Sequence, residues 1–158
     1  MKAHSRISRT VLLPLLFCCL IFSLRGLLAA QSQSATGVIK PTSRLTVEIR
    51  GLRNATGQIL VKLSRDGNAV EARAVPIEAK SRTAQIVFDN LPRAEYAVSF
   101  IHDENMNGKL DYNFFGMPAE GYGFSNNPPK GFGPPKYELT IFPLKEPERH
   151  IDIKVIYW

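Results

Sequence analysis

The residues best suited to chemistry lie together in Asp103-Glu104-Asn105-Met106-Asn107-Gly108-Lys109-Leu110-Asp111, a D-x-N-x-N-G-x-x-D run. Calcium takes about six to eight hard oxygens around one centre, and alternate residues of a tight loop can aim theirs inward. Asp103, Asn105 and Asn107 offer side-chain oxygens at the first, third and fifth positions of the run. Lys109 offers its backbone carbonyl, Asp111 stands at the ninth position, and Gly108 permits the sharp turn between them. An EF-hand would carry a bidentate glutamate at its twelfth position, where this chain has Phe114, and would be flanked by helices. A calcium site of a weaker, non-EF type is therefore expected, with Glu104 or Glu120 as candidates for one further ligand. Asn, Asp and Gly also build ordinary turns without metal, so an Asx-type loop held by hydrogen bonds would use the same residues.

Other reactive constellations are sparse. Cys18 and Cys19, the only cysteines, both fall in the first thirty residues, which leaves the rest without a disulfide or a thiolate site. His102 and His150 are the only histidines beyond that point, too few for a three-histidine zinc centre. His102 is expected at a strand end, bonded to the loop. Ser125 lies in Gly123-Phe124-Ser125-Asn126-Asn127, which is not the G-x-S-x-G elbow of a serine hydrolase. Asp111 and Glu120 could form a carboxylate pair, but ion ligation or loop capping explains both more simply. The chain is thus expected not to be an enzyme. The alternative is a small metal- or carboxylate-dependent hydrolase built on residues 102–127.

The elements that position the loop follow from the rest of the 158 residues. Residues 1–9 are basic, 11–24 are apolar, and Arg25 is followed by Leu27-Leu28-Ala29-Ala30 and a polar run. That order is the grammar of a secretory signal peptide, with cleavage expected after Ala30 and residues 31–42 as a flexible lead-in. The apolar stretch is shorter than the about 20 residues of a spanning helix. Only an uncleaved leader would tie the protein to a membrane. Phe17 before Cys18 argues against a lipoprotein signal. Four of the 20 Lys and Arg residues sit in the leader, so the remainder holds 16 cations against 14 anions. No concentrated basic face for nucleic acid is left. An exported, periplasmic or extracellular, monomeric domain over residues 43–158 is expected.

Within that domain the apolar residues alternate with period two, the mark of strands with one buried face. Leu45, Val47 and Ile49 share one side; so do Ile59, Val61 and Leu63, then Ala84, Ile86 and Phe88, then Tyr96, Val98 and Phe100. Ile151, Ile153, Val155 and Tyr157 close the chain in the same manner. Val75–Ile77 reads as a weak edge strand because of Pro76, and Tyr137–Phe142 as a further strand. Turns fall at 54–57, 65–68 and 90–93. No sustained helical period follows residue 30. Six or seven short strands predict a single antiparallel β-sandwich, immunoglobulin-like or prealbumin-like.

Residues 102–136 break this pattern. They hold six of the 11 glycines, five of the 11 prolines and six of the 15 aromatic residues. Loops of such length are uncommon in compact domains and are usually functional or disordered. Disorder would leave Tyr112, Phe114, Phe115, Tyr122, Phe124 and Phe132 in water, so an organising element is expected. With calcium pinning 103–111, Tyr112, Glu120, Tyr122, Phe124 and Phe132 could form a surface for a protein, peptide or glycan at the cell envelope. They could equally fold back as a lid over one open end of the sandwich.

His102 through Asp111, followed by Phe115-Gly116-Met117-Pro118-Ala119-Glu120-Gly121-Tyr122-Gly123-Phe124-Ser125-Asn126-Asn127, resembles the signature of a bacterial exported family catalogued as domain of unknown function 2141. Asn90-Leu91-Pro92 before Tyr96-Ala97-Val98 resembles it too. The chain departs from it at Met106, where such loops usually carry glycine, and at Arg93-Ala94, where Pro-Gly is usual. The resemblance implies an exported β-sandwich without an assigned activity, similar in style to accessory modules whose D-x-N-x-N-G loops hold calcium. A non-catalytic binding or accessory module is the expected role, with a small-ligand carrier as a further possibility.

Overall fold

The computed structural model describes residues 41–158. The expected leader 1–30 and nearly all of the lead-in 31–42 lie outside the described residues. Among the described residues, no helix is long and apolar enough to cross a membrane.

The chain forms a β-sandwich of eight strands: β1 (Thr42–Arg50), β2 (Gln58–Arg65), β3 (Asn68–Val75), β4 (Ala84–Pro92), β5 (Ala94–Asp103), β6 (Gly121–Phe124), β7 (Phe142–Leu144) and β8 (Glu148–Lys154). One sheet has the order β4-β1-β8, and the other runs β3-β2-β5-β6 with β7 also on β5. β5 is the axis of the larger sheet. One of its edges pairs with β2, while the other is divided between β7 at Ala94–Tyr96 and β6 at Ser99–His102. The alternating apolar positions of β1, β2, β4 and β5 all face inward, and Leu45, Val47, Ile49, Ile59, Leu63, Phe88 and Tyr96 are fully buried. Asp66 (φ 52°) and Gly67 (φ 76°) make the two-residue turn between β2 and β3, the left-handed pair that suits a twisted hairpin.

β4 and β5 belong to different sheets although only Arg93 separates them. The buried Tyr96 fixes this crossing by donating its hydroxyl to the Pro92 carbonyl (2.8 Å), as in the tyrosine corners of related sandwiches. The sheets are tied again beyond β8, where Ile156 and Tyr122 exchange backbone hydrogen bonds (2.7 and 3.1 Å). Gly123 makes room for this approach. A Cβ there would stand 2.5 Å from the Phe100 ring and 2.9 Å from the Lys154 carbonyl.

Several elements differ from the sequence expectation. The strands number eight, and the β1–β8 pair is parallel rather than antiparallel. β3 covers Asn68–Val75, not Val75–Ile77, because an edge strand needs no alternating apolar face; most of its residues are exposed. Tyr137–Phe142 splits into a 3-10 turn at Tyr137–Leu139 and the first residue of the short β7. The stretch 102–136 is not one loop, since β6 lies within it and Tyr112 bridges Pro118.

Candidate functional site

The 103–111 loop leaves β5 on the outer side of the larger sheet. Asp103 follows Ser99 and Ile101 along the outward face, whereas His102 follows Phe100 inward. The Asp103 carboxylate is fully buried. Its Oδ1 accepts the Asn107 N–H (2.9 Å), and its Oδ2 accepts the Gly108 N–H and the Gln58 side-chain amide (both 3.0 Å). Burial pushes this carboxyl's pKa up, but the Gln58 amide and the backbone N–H groups of Gly108, Asn107 and Met106 outweigh it and hold the pKa below the ordinary value. Asp111 Oδ2 receives the side-chain amides of Asn105 (2.6 Å) and Asn107 (2.8 Å), so these three side chains meet at one point. Asn105 Oδ1 accepts the Asn107 N–H (3.1 Å) and Asn107 Oδ1 the Lys109 N–H (3.0 Å), both as Asx turns. Met106 is exposed at φ 60°, a left-handed position that glycine adopts most readily.

Of the five expected ligand residues, Asn105, Asn107 and Asp111 meet at one point, Asp103 spends its oxygens on the Asn107, Gly108 and Gln58 donors, and Lys109 is tied in through its N–H on Asn107 Oδ1. Two carboxylates, two amides and a backbone carbonyl are donor types that a hard cation such as calcium takes. The same atoms are also engaged in hydrogen bonds that close the loop on itself. Neither further candidate points to the shared centre. Glu104 reaches the β1–β2 connection, accepting Arg53 (2.7 Å) and the Asn54 amide (3.1 Å). Glu120 is buried beneath the loop, where its two oxygens accept the N–H groups of Glu104 (2.8 Å) and Asp111 (3.1 Å). That is a capping role, and it takes Glu120 out of the expected partner surface.

The loop is seated by close contacts below it. Gly57 (φ 77°) lies against the Asp103 backbone, and a Cβ there would stand 2.6 Å from the Glu104 Cα. His102 bonds Thr56 and Tyr157, each at 2.8 Å. Because the Thr56 carbonyl only accepts, the proton is on Nε2, and Nδ1 accepts from the Tyr157 hydroxyl. Burial and, secondarily, the Glu104 charge raise the Tyr157 pKa. Ser125 is fully buried, with its hydroxyl donating to the Thr140 carbonyl (2.5 Å) and accepting the Val98 N–H (2.9 Å). It extends the β5–β6 pairing and has no exposed oxygen for nucleophilic work.

The remaining expected surface residues divide. Tyr112 (61% exposed) and Phe132 (92%) project outward, as do Phe114 and Phe115, whereas Tyr122 is buried and Phe124 half-buried in β6. Tyr112, Tyr122, Phe124 and Phe132 line a groove of about 810 Å³ on the outer face of the larger sheet. Leu60, Ile101, Tyr122 and Phe124 form its floor; Leu110, Met117 and Pro118 build one wall, and Phe132, Pro134 and Trp158 the other. Trp158 is held by its indole N–H on the Tyr122 hydroxyl (2.8 Å) and by Lys130 over its ring (3.8 Å). The long segment therefore covers a sheet face rather than an open end of the sandwich. Sequence alternation missed this groove because Leu60 and Ile101 occupy outward positions; their apolar character was the available signal.

Pairing β1 with β8 creates a second constellation. Glu48, His150 and Asp152 place ligand atoms within 4.8 Å of one another on the outer face of the smaller sheet. Arg50 pairs with both carboxylates there (2.9 Å each) and offsets one of their two negative charges. Only the parallel register brings Glu48 opposite Asp152, which no local pattern announces.

No curated protein and no solved structure matches the chain. Residues 47–152, which span both sheets, the acidic loop and the groove floor, match the model of a family described as uncharacterized protein conserved in bacteria (DUF2141), and the chain belongs to that family.

Proposed function

We propose that this domain is an exported, monomeric, non-catalytic binding module of the bacterial cell envelope, whose ligand lies in the groove on the larger sheet and whose groove wall is fixed by calcium in the 103–111 loop. The observation that carries the proposal is the groove itself. The outer face of an antiparallel sheet is ordinarily polar and solvated, yet here its floor is apolar and walled on two sides. Its volume falls within the range of small-molecule sites, about 300–1,000 Å³. Gly108 and Leu110 belong both to the acidic loop and to the groove lining, so an ion that orders the loop also orders the wall. Asp103, Asn105, Asn107, the Lys109 carbonyl and Asp111 would hold the ion. An ion bound at one hundred times its dissociation constant would add about 2.7 kcal/mol of stability.

Thermal unfolding of the protein in excess chelator and in millimolar calcium tests the ion, with Asp111→Ala and the milder Asp111→Asn beside it. A rise of several degrees in the wild type, lost in both variants, is expected; no rise at any calcium concentration would remove calcium from the proposal. Fluorescence of the neutral apolar probe N-phenyl-1-naphthylamine tests the groove. Saturable enhancement, abolished by Ile101→Arg, is expected, and enhancement that survives Ile101→Arg would place the probe elsewhere.

A further inference from the structure

Strand register arranges the groove floor in two rows. Ala74, Leu60, Ile101 and Tyr122 form an apolar row across β3, β2, β5 and β6. The adjacent row runs Ala72, Lys62, Ser99 and Phe124. Lys62 is thus a cation rising from the floor between two of the smallest side chains, Ala72 and Ser99, which cannot cover it. It is exposed, and it makes no ion pair or side-chain hydrogen bond among the described residues. The nearby cations are committed elsewhere: Arg73 to Glu71 (2.7 Å) and the Val87 carbonyl (2.6 Å), and Lys130 to Trp158 and the Tyr157 carbonyl (2.9 Å). No Asp or Glu is among the residues that line the groove.

We infer that the groove selects a small amphiphile with an apolar body and a single anionic head, such as a carboxylate, paired with Lys62 and assisted by the Ser99 hydroxyl. This rests on the groove being the binding site. A wholly apolar or neutral ligand would cover the ammonium and leave it desolvated without a partner, which is costly. An anionic head removes that cost and gains a charge-assisted hydrogen bond. A cationic head would meet like charge with no Asp or Glu side chain in the lining to offset it.

Competition against bound N-phenyl-1-naphthylamine distinguishes the possibilities, using decanoate, 1-decanol and decylamine at low ionic strength. Decanoate is expected to compete at least tenfold more tightly than 1-decanol, with decylamine weakest. Lys62→Met should lower decanoate affinity about tenfold, leave 1-decanol unchanged or tighter, and abolish the salt dependence of decanoate competition. Lys62→Arg should preserve the preference. Equal competition by all three ligands, or a decanoate preference that survives Lys62→Met, would overturn the anionic selectivity while leaving the groove as a binding site. Failure of the probe itself to bind would overturn the groove, and the selectivity with it.

Discussion

The outer faces of the two sheets obey the same alternation and reach opposite results. On the smaller sheet the outward positions are Glu48, Arg50, His150 and Asp152, an exposed lattice of ion pairs. On the larger sheet the corresponding positions include Leu60, Ile101, Tyr122 and Phe124, and a long segment rises to wall them in. Both sheets bury an equally apolar inner face, so core formation does not account for the difference. Retaining apolar side chains on an outward face invites association. Its presence on one face alone is the reason the proposed ligand site is placed there.

The contrast can be sharpened or broken by substitution. The largest effect should come from the acidic loop: Asp103→Ala leaves the Gln58 amide and the Gly108 N–H without their acceptor and the Asn107 N–H with only Asn105 Oδ1, at about 3 kcal/mol or more in urea unfolding. A cost near that of a surface substitution would mean that the loop contributes little to the fold. Next in size, Phe124→Arg should weaken binding of the neutral probe at least tenfold, whereas Thr46→Arg, on the opposite face, should leave it unchanged. Equal losses would erase the distinction between the faces. A third effect is pH-dependent. The Asp103 pKa is depressed in the folded protein, so its ionised form stabilises the fold above the unfolded value of about 3.9, and that stability is lost as pH falls through the lower folded value. In excess chelator, Asp103→Asn should therefore flatten the acid limb of the stability curve; an unchanged limb would assign it to other carboxylates. The smallest effect belongs to the ion-pair lattice, where Asp152→Ala and His150→Ala should each change stability by about 0.5 kcal/mol or less.

The sandwich was legible because β1, β2, β4 and β5 each place three or more apolar side chains at alternate positions, a pattern read without knowledge of partners. β6 was hidden by Gly121 and Gly123, whose lack of side chains serves the close approach of the β8 tail and erases the alternation. β3 was hidden because an edge strand buries almost nothing. The tight turn of the acidic loop, which gathers Asn105, Asn107 and Asp111, was readable from spacing alone. The second function of that loop as a groove wall was not, since it depends on Asp103 leaving β5 on the outward side and on three separate strands aligning Leu60, Ile101 and Tyr122 in register. Glu120 was read as an ion ligand or a loop cap, and the structure gives it the cap; which backbone N–H groups its carboxylate would meet is not carried by residue type.

The parallel pairing of β1 with β8 also orders events in time. Thr46 finds His150 and Ile49 finds Ile153, so the first strand acquires its second neighbour only after nearly all the intervening chain exists. Such distant pairing slows folding, because chain entropy must be surrendered before the contact repays it. A ribosome-bound or half-emerged chain can assemble the β2–β3 hairpin, but β1 must wait with one edge bare. Until β8 arrives, the smaller sheet can be no more than the β1–β4 ladder.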